Sequence, residues 1–212
     1  MNETIVLATR NKGKIAEIEA VLGLLQPGLT VLGLEDFPAI GDIPEHGTTF
    51  EANAVEKARV VTQHTGLVSL ADDSGLEVDA LDGAPGVYSA RFSGPGATDE
   101  ANNQKLLRKL AGLPPVQRSA RFRCVLAALA PGGELLLARG AWEGRIAKEP
   151  RGEGGFGYDP LFVDPELEVT AAQMSPEQKN ARSHRGKALR SLAQQWPEYC
   201  KKLRSGHHPR AM

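Results

Sequence analysis

Apolar residues recur along this chain at two spacings, one of a strand and one of a helix, and the switches between them mark out the elements. Thr4 to Ala8 is a run of β-branched and aliphatic residues that predicts a first strand. Beyond it Ile15, Ile18, Leu22 and Leu25 share one helical face, with Glu17 and Glu19 on the other. Leu29 to Leu34 predicts a second strand, and Glu35 to Thr48, punctuated by Pro38, Gly41, Pro44 and Gly47, predicts a long loop. Thr49 can cap a helix from Phe50 to about His64, whose stripe is Phe50, Ala54, Ala58 and Val61. The apolar run Val68 to Ala71 then stops at Asp72-Asp73-Ser74-Gly75, where a return strand is expected to begin.

Thr98 can cap a helix that turns Ala101, Leu106, Leu107 and Leu110 inward and ends before Pro114-Pro115. Arg121 to Ala130 and Glu134 to Trp142, joined by Pro131-Gly132-Gly133, predict a hairpin. After a strand at Leu161-Phe162-Val163, the capping box Ser175-Pro176-Glu177-Gln178 opens a short helix. That helix breaks at Ser183-His184-Arg185-Gly186, and Leu189, Leu192, Ala193 and Trp196 line a last one.

With 212 residues the chain can fill one large domain or two small lobes, and a single compact unit is expected. A formal net charge of -1 and an ordinary charged fraction give no reason to expect nucleic-acid or membrane binding. Cys124 and Cys200, far apart and each within an apolar or amphipathic run, fit two buried thiols in a reducing cytosol. Ile5 to Ala8 is too short for a signal peptide, and no run reaches membrane-spanning length, so a cytoplasmic protein is expected. Residues 205–212 lack apolar periodicity and are expected to form a mobile tail.

Candidate chemistry gathers at three places. Asp72-Asp73-Ser74-Gly75 reads either as a divalent-metal and general-base site or as a solvated turn, since adjacent ionised aspartates repel unless a cation stands near. Thr9-Arg10-Asn11-Lys12-Gly13-Lys14 brings cations to a helix N-terminus, which favours an anion there over a merely capped helix. Its glycine spacing is not that of a Walker A loop. Gly152 to Pro160 is the most glycine-dense stretch, able to lay its backbone against a flat ligand with aromatics beside it. Glu45, in the long loop, is a candidate ligand, and Asn53 and Lys57 share a helical face.

Taken in order, several strings carry a more specific signal. They are Ala8-Thr9-Arg10-Asn11-Lys12-Gly13-Lys14, Asn53-Ala54 with Lys57-Ala58, Ala71-Asp72-Asp73-Ser74-Gly75-Leu76, Gly83-Ala84-Pro85-Gly86 with Tyr88-Ser89-Ala90-Arg91, Gly154-Gly155-Phe156-Gly157-Tyr158-Asp159-Pro160 and Ser183-His184-Arg185-Gly186. Through them, from Val6 to about Leu192, the chain resembles the inosine/xanthosine triphosphate pyrophosphatase family, which hydrolyses non-standard purine nucleoside triphosphates.

The resemblance implies an α/β (α+β) fold with a mixed central sheet of long strands and two helix-flanked lobes with a substrate cleft between them. It implies one two-lobed domain over residues 1–204, a cytosolic homodimer and dependence on Mg²⁺. It implies that Thr9, Arg10, Asn11, Lys12, Gly13 and Lys14 hold the triphosphate, with Lys57 adding positive charge. Asp73 becomes the metal-linked catalytic proton acceptor, while Ser74 touches substrate; by the oxygen preference of Mg²⁺, Asp73 with Glu45 or Asp72 is expected to be its metal ligand set. Phe156, Gly157, Tyr158, Asp159, Lys179, His184 and Arg185 read the purine.

One position departs from the family: Ala52 stands where Glu is usual, with Glu51 one step earlier and about 100° away around a helix. The usual Glu either helps to hold metal or completes a capping box with Thr49, and both readings stay open. Two alternatives to the function also remain: a pyrophosphatase for other modified or pyrimidine nucleotides, and a nucleotide-binding protein without catalysis.

Overall fold

A computed structural model describes residues 4–25 and 28–205, so most of the expected tail, residues 206–212, lies outside the described residues. Among the described residues six strands form one mixed sheet in the order β2-β1-β3-β4-β5-β6: β1 (Thr4–Leu7), β2 (Thr30–Leu32), β3 (Val68–Val78), β4 (Ser119–Leu129), β5 (Leu135–Ile146) and β6 (Phe162–Val163). Helices α1 (Lys12–Leu25), α2 (Phe50–Thr65), α3 (Asp99–Lys109), α4 (Pro176–Arg182) and α5 (His184–Arg204) complete it. The chain divides into two compact units: Met1–Asp73, Cys124–Gly140 and Arg185–Met212, then Ser74–Arg123 and Ala141–His184. Among the described residues no helix is long and apolar enough to cross a membrane.

In the first unit β1 pairs in parallel with β2, Thr4 opposite Thr30, and with β3, Ile5 opposite Val68. Parallel neighbours need long crossovers, and α1 and α2 provide them. Strand alternation divides β1 between two cores. Ile5 and Leu7 pack with Ile18, Leu22, Leu70, Leu189 and Leu192, whereas Val6 and Ala8 pack with Ala54, Ala58, Val61 and Ala71. This double burial is why the strand reads as continuously apolar.

One expectation is corrected. The acid pair does not end a strand at a turn: β3 runs unbroken for 11 residues through Asp72 and Asp73, and its sheet neighbours are β1 and β4. Extended backbone continues there because every acidic group in the run meets a cation, so no turn is needed to bring it to water.

In the second unit Leu76, Val78, Leu106, Leu110, Phe122, Trp142 and Phe162 form the core, with the Phe162 ring 4.5 Å from Phe122 and 4.9 Å from Trp142. Buried Asp164 pins its edge, accepting from Trp142 Nε1 at 2.9 Å, Arg182 Nε at 2.9 Å and the backbone N–H groups of Glu166 and Leu167 at 3.0 and 2.9 Å. Burial alone would raise this carboxyl, but those donors hold it down to about 2.

A depressed folded-state pKa contributes stability that is present above the unfolded value, about 4, and is lost as pH falls toward 2. Urea denaturation should therefore find Asp164→Asn less stable than the parent at pH 6, with the gap closing between pH 4 and 2; a pH-independent gap would contradict this account.

Candidate functional site

The first unit assembles a charged cluster around β3. Successive side chains of a strand point to opposite faces, so Asp72 and Asp73 need not share an environment. Asp72 is fully buried: Lys14 Nζ lies 2.5 Å from its Oδ1, and Arg185 donates from Nε to its Oδ2 at 2.8 Å. Arg185 also pairs with Glu17, which takes that residue out of the solvated helix face expected for it. Burial would raise the Asp72 carboxyl, but Arg185 and then Lys14 outweigh it and hold the group well below the usual carboxylate range. Cys124 donates its S–H to Asp72 Oδ2 at 3.3 Å, and burial, followed by that carboxylate, pushes its thiol well up.

Asp73 meets a different set. Lys57, reaching from α2, donates from Nζ to Asp73 Oδ1 at 2.7 Å, to Glu45 Oε1 at 2.9 Å and to the Asp72 carbonyl at 2.9 Å. Lys57 is thus buried, not solvated as a lone helix lysine usually is. Burial would lower its ammonium, but Asp73 and Glu45 more than offset that and hold it above the usual lysine range. Burial raises Asp73, and Lys57 and Lys14 only partly counter it.

Asn53 Nδ2 donates to Asp73 Oδ2 at 3.2 Å while its Oδ1 accepts from the Gly47 N–H at 2.7 Å. Its amide therefore joins the Glu45 loop to the acid strand. The approach is close enough that a Cβ at Gly47 would fall 2.6 Å from Asn53 Oδ1 and 2.9 Å from the Ala52 Cβ. Asn53 was not among the expected site residues, although the four-residue spacing that puts it on the face of Lys57 was the signal for it. Glu51 takes no part, pairing with exposed Arg139 instead.

The loop before α1 is organised by its own side chains. Thr9 Oγ1 accepts from the Asn11 N–H and Asn11 Oδ1 from the Lys14 N–H, each at 3.1 Å, and Arg10 binds the carbonyls of Ile40 and Gly41. Lys12 is exposed and Gly13 and Lys14 partly so, and of this loop's cations Lys14 is the one that meets the acid pair.

The second unit holds the remaining candidates. Asp159 Oδ2 accepts from Lys179 Nζ at 2.7 Å and from the Phe156 N–H at 2.9 Å, and the same ammonium lies 4.8 Å from the Phe156 ring centroid. Gly155, at φ 75°, fits only as glycine, because a Cβ would sit 2.1 Å from Asp159 Oδ2. Gly157 donates to Asp99 at 2.6 Å. Tyr158 is buried with its hydroxyl donating to the Ser89 carbonyl at 2.9 Å, and burial pushes its phenol up. His184 stacks on Phe122 with centroids 4.7 Å apart, and Ser74 is part-buried in β3.

The described residues contain no group of three or more His, Cys, Asp or Glu suited to a metal. Glu45 and Asp73 nevertheless offer two carboxylate oxygens that converge on one point, the Lys57 ammonium. That donor set fits a hard cation that keeps most of its shell as water and phosphate oxygen.

Comparison with known proteins gives a consistent result. Residues 5–195 match the model of the Ham1 family. A dITP/XTP pyrophosphatase of Nitratidesulfovibrio vulgaris is 58% identical over 92% of this chain and 97% of its own length, and one from Thioalkalivibrio sulfidiphilus is 54% identical over 89% and 95%. A HAM1 protein structure from Coxiella burnetii is similar with TM-score 0.84 at 44% identity over 92% of this chain and 99% of that one.

Replacing Asp72 by Asn should leave Arg185 buried beside an uncharged amide, costing about 3–5 kcal/mol in chemical denaturation. Asp79→Asn, at a partly exposed pair with Arg121, should cost about 1 kcal/mol or less. Equal losses at the two sites would contradict the difference in burial.

Proposed function

The chain belongs to the Ham1 family, and from that premise we propose that it hydrolyses non-standard purine nucleoside triphosphates, dITP, ITP and XTP, to the monophosphate and pyrophosphate. Such hydrolysis removes them from the nucleotide pool before DNA or RNA is made. The observation that carries this reading is a near-full-length relationship to proteins named dITP/XTP pyrophosphatase. The buried carboxylate–ammonium cluster of the first unit supports it chemically.

In this reading Asp73 and Glu45 would hold Mg²⁺, which would supply positive charge to the triphosphate. Asp73 accepts the proton of a water attacking the α-phosphorus, and a carboxyl raised by burial is a better base for that task than an ordinary one. Asn53 holds the other oxygen of that carboxylate in place. Lys14 and Lys57 are mobile-stemmed cations able to turn to phosphate, and the N–H groups at the start of α1, flanked by Thr9, Arg10, Asn11, Lys12 and Gly13, favour the triphosphate.

The candidates for reading the purine are those that the resemblance gives. Phe156 offers a flat face, with Gly157, Tyr158 and Asp159 next to it in sequence and Lys179 in contact with its ring, while His184 of the same unit stacks on Phe122. Discrimination against adenine needs a donor aimed at a 6-oxo group, since an amino group there would leave that donor unmatched. Arg185 and a backbone N–H are both possible sources by chemistry. The contacts of Arg185 with Asp72 and Glu17 favour the backbone of the glycine loop. A homodimer in the cytoplasm completes the proposal.

Asp73→Asn should lower kcat by about 10²–10⁴-fold in a pyrophosphate-release assay while keeping the far-UV circular dichroism spectrum of the folded parent. Inosine and xanthosine triphosphates should exceed ATP in kcat/KM by about 10²-fold or more, and equal rates over the four standard triphosphates would contradict the base pocket.

A further inference from the structure

Lys57 has three N–H donors and three acceptors around it: Asp73 Oδ1 at 2.7 Å, Glu45 Oε1 at 2.9 Å and the Asp72 carbonyl at 2.9 Å. Two of those acceptors belong to Asp73 and Glu45, the carboxylates that the proposed function assigns to Mg²⁺, so this inference rests on that reading. The ammonium and a divalent ion thus want the same oxygens. Each carboxylate oxygen has a second lone pair, but using it would set the two cations only about 3–4 Å apart, with ion–oxygen distances of about 2.1 Å. Lys57 is 7% and Asp73 4% exposed, so solvent does little to screen that repulsion.

The rest of the site keeps the two carboxylates where they are. Lys57 is carried by α2, and Asn53, one turn earlier on that helix, holds the second oxygen of Asp73. The loop bringing Glu45 is fastened two residues on, where Gly47 donates to Asn53. Two carboxylates brought this close repel each other unless a cation lies between them. Lys57 is that cation.

We propose that Lys57 is the protein's own placeholder for the metal, holding Glu45 and Asp73 together in the nucleotide-free state. Mg²⁺ then enters with the triphosphate. The phosphate charge gives the ammonium new acceptors, the four-carbon stem lets it swing to them, and the two carboxylate oxygens are released for the ion. Metal affinity is therefore low without nucleotide and rises when nucleotide binds, and the energy linking the two ligands passes through one side chain.

The test uses the full chain and Mn²⁺ as the probe, titrated by calorimetry without nucleotide into the wild type, Lys57→Gln and Lys57→Arg. Removing the charge should tighten Mn²⁺ binding at least tenfold in Lys57→Gln, while Lys57→Arg, which keeps it, should stay as weak as the parent. In thermal melts Lys57→Gln should unfold at a lower temperature than the parent and recover on adding Mg²⁺, which leaves the parent's melt unmoved.

Mn²⁺ binding no tighter in Lys57→Gln than in the wild type overturns the proposal, as does equal tightening by Lys57→Arg. Should Lys57→Gln not fold, the wild type decides. Mn²⁺ should bind it at least tenfold tighter with an inosine triphosphate analogue carrying methylene between the α and β phosphorus atoms, and equal affinity with and without that analogue refutes the placeholder role. Absence of Mg²⁺-dependent pyrophosphate release by the wild type would be a separate result, striking the enzymatic reading and leaving the nucleotide-free titrations to speak for Lys57.

Discussion

Two consecutive carboxylates on one strand can be buried together only if each finds its own positive partner, and that requirement shapes the first unit. Asp72 takes Lys14 and Arg185, and Asp73 takes Lys57. The partners come from α1, α5 and α2, so three helices are tied to one strand by charge as well as by apolar packing. The division of labour follows. Asp72, saturated by cations, is held far from protonation, whereas Asp73, raised by burial and only partly neutralised, keeps the basicity that the proposed role of a general base calls for.

Much of this was legible from local pattern. The caps at Thr49, Thr98 and Ser175 accept from the N–H groups three residues on, as their spacing predicts. The buried thiols and the break at Ser183 between α4 and α5 also follow from the sequence. What local pattern misread is instructive. Asp-Asp-Ser-Gly looks like a turn because its partners are distant in sequence: Arg185 lies 113 positions from Asp72 and Lys57 lies 16 from Asp73. Glu17 likewise reads as solvated until Arg185 is placed. Charges that are neutralised across the fold cannot be told from solvated ones by periodicity. The candidate site residues therefore came from resemblance, and the structure adds the pairing among those of the first unit.

The second unit uses the same economy around Asp159. Its carboxylate accepts from the backbone of its own loop and from the Lys179 ammonium, so one acid fixes both a glycine-rich loop and the short helix α4. The absence of a Cβ at Gly155 is what allows the carboxylate to turn back onto the loop. Lys179 in turn lies over Phe156, an arrangement in which the ring face attracts the cation. A loop that looks flexible by composition is thereby held by an ion pair that is almost wholly buried.

Cys124 shows what the charged cluster does to its neighbours. Its sulfur sits against Asp72 inside the core, and the surroundings that stabilise the carboxylate penalise a thiolate. Alkylating and oxidising reagents act on the thiolate, so this sulfur is inert while the native fold persists. Cys200 is buried as well. The protein can therefore take a single engineered surface cysteine for dye attachment or immobilisation without prior removal of its native thiols, and modification of Cys124 becomes a reporter of unfolding.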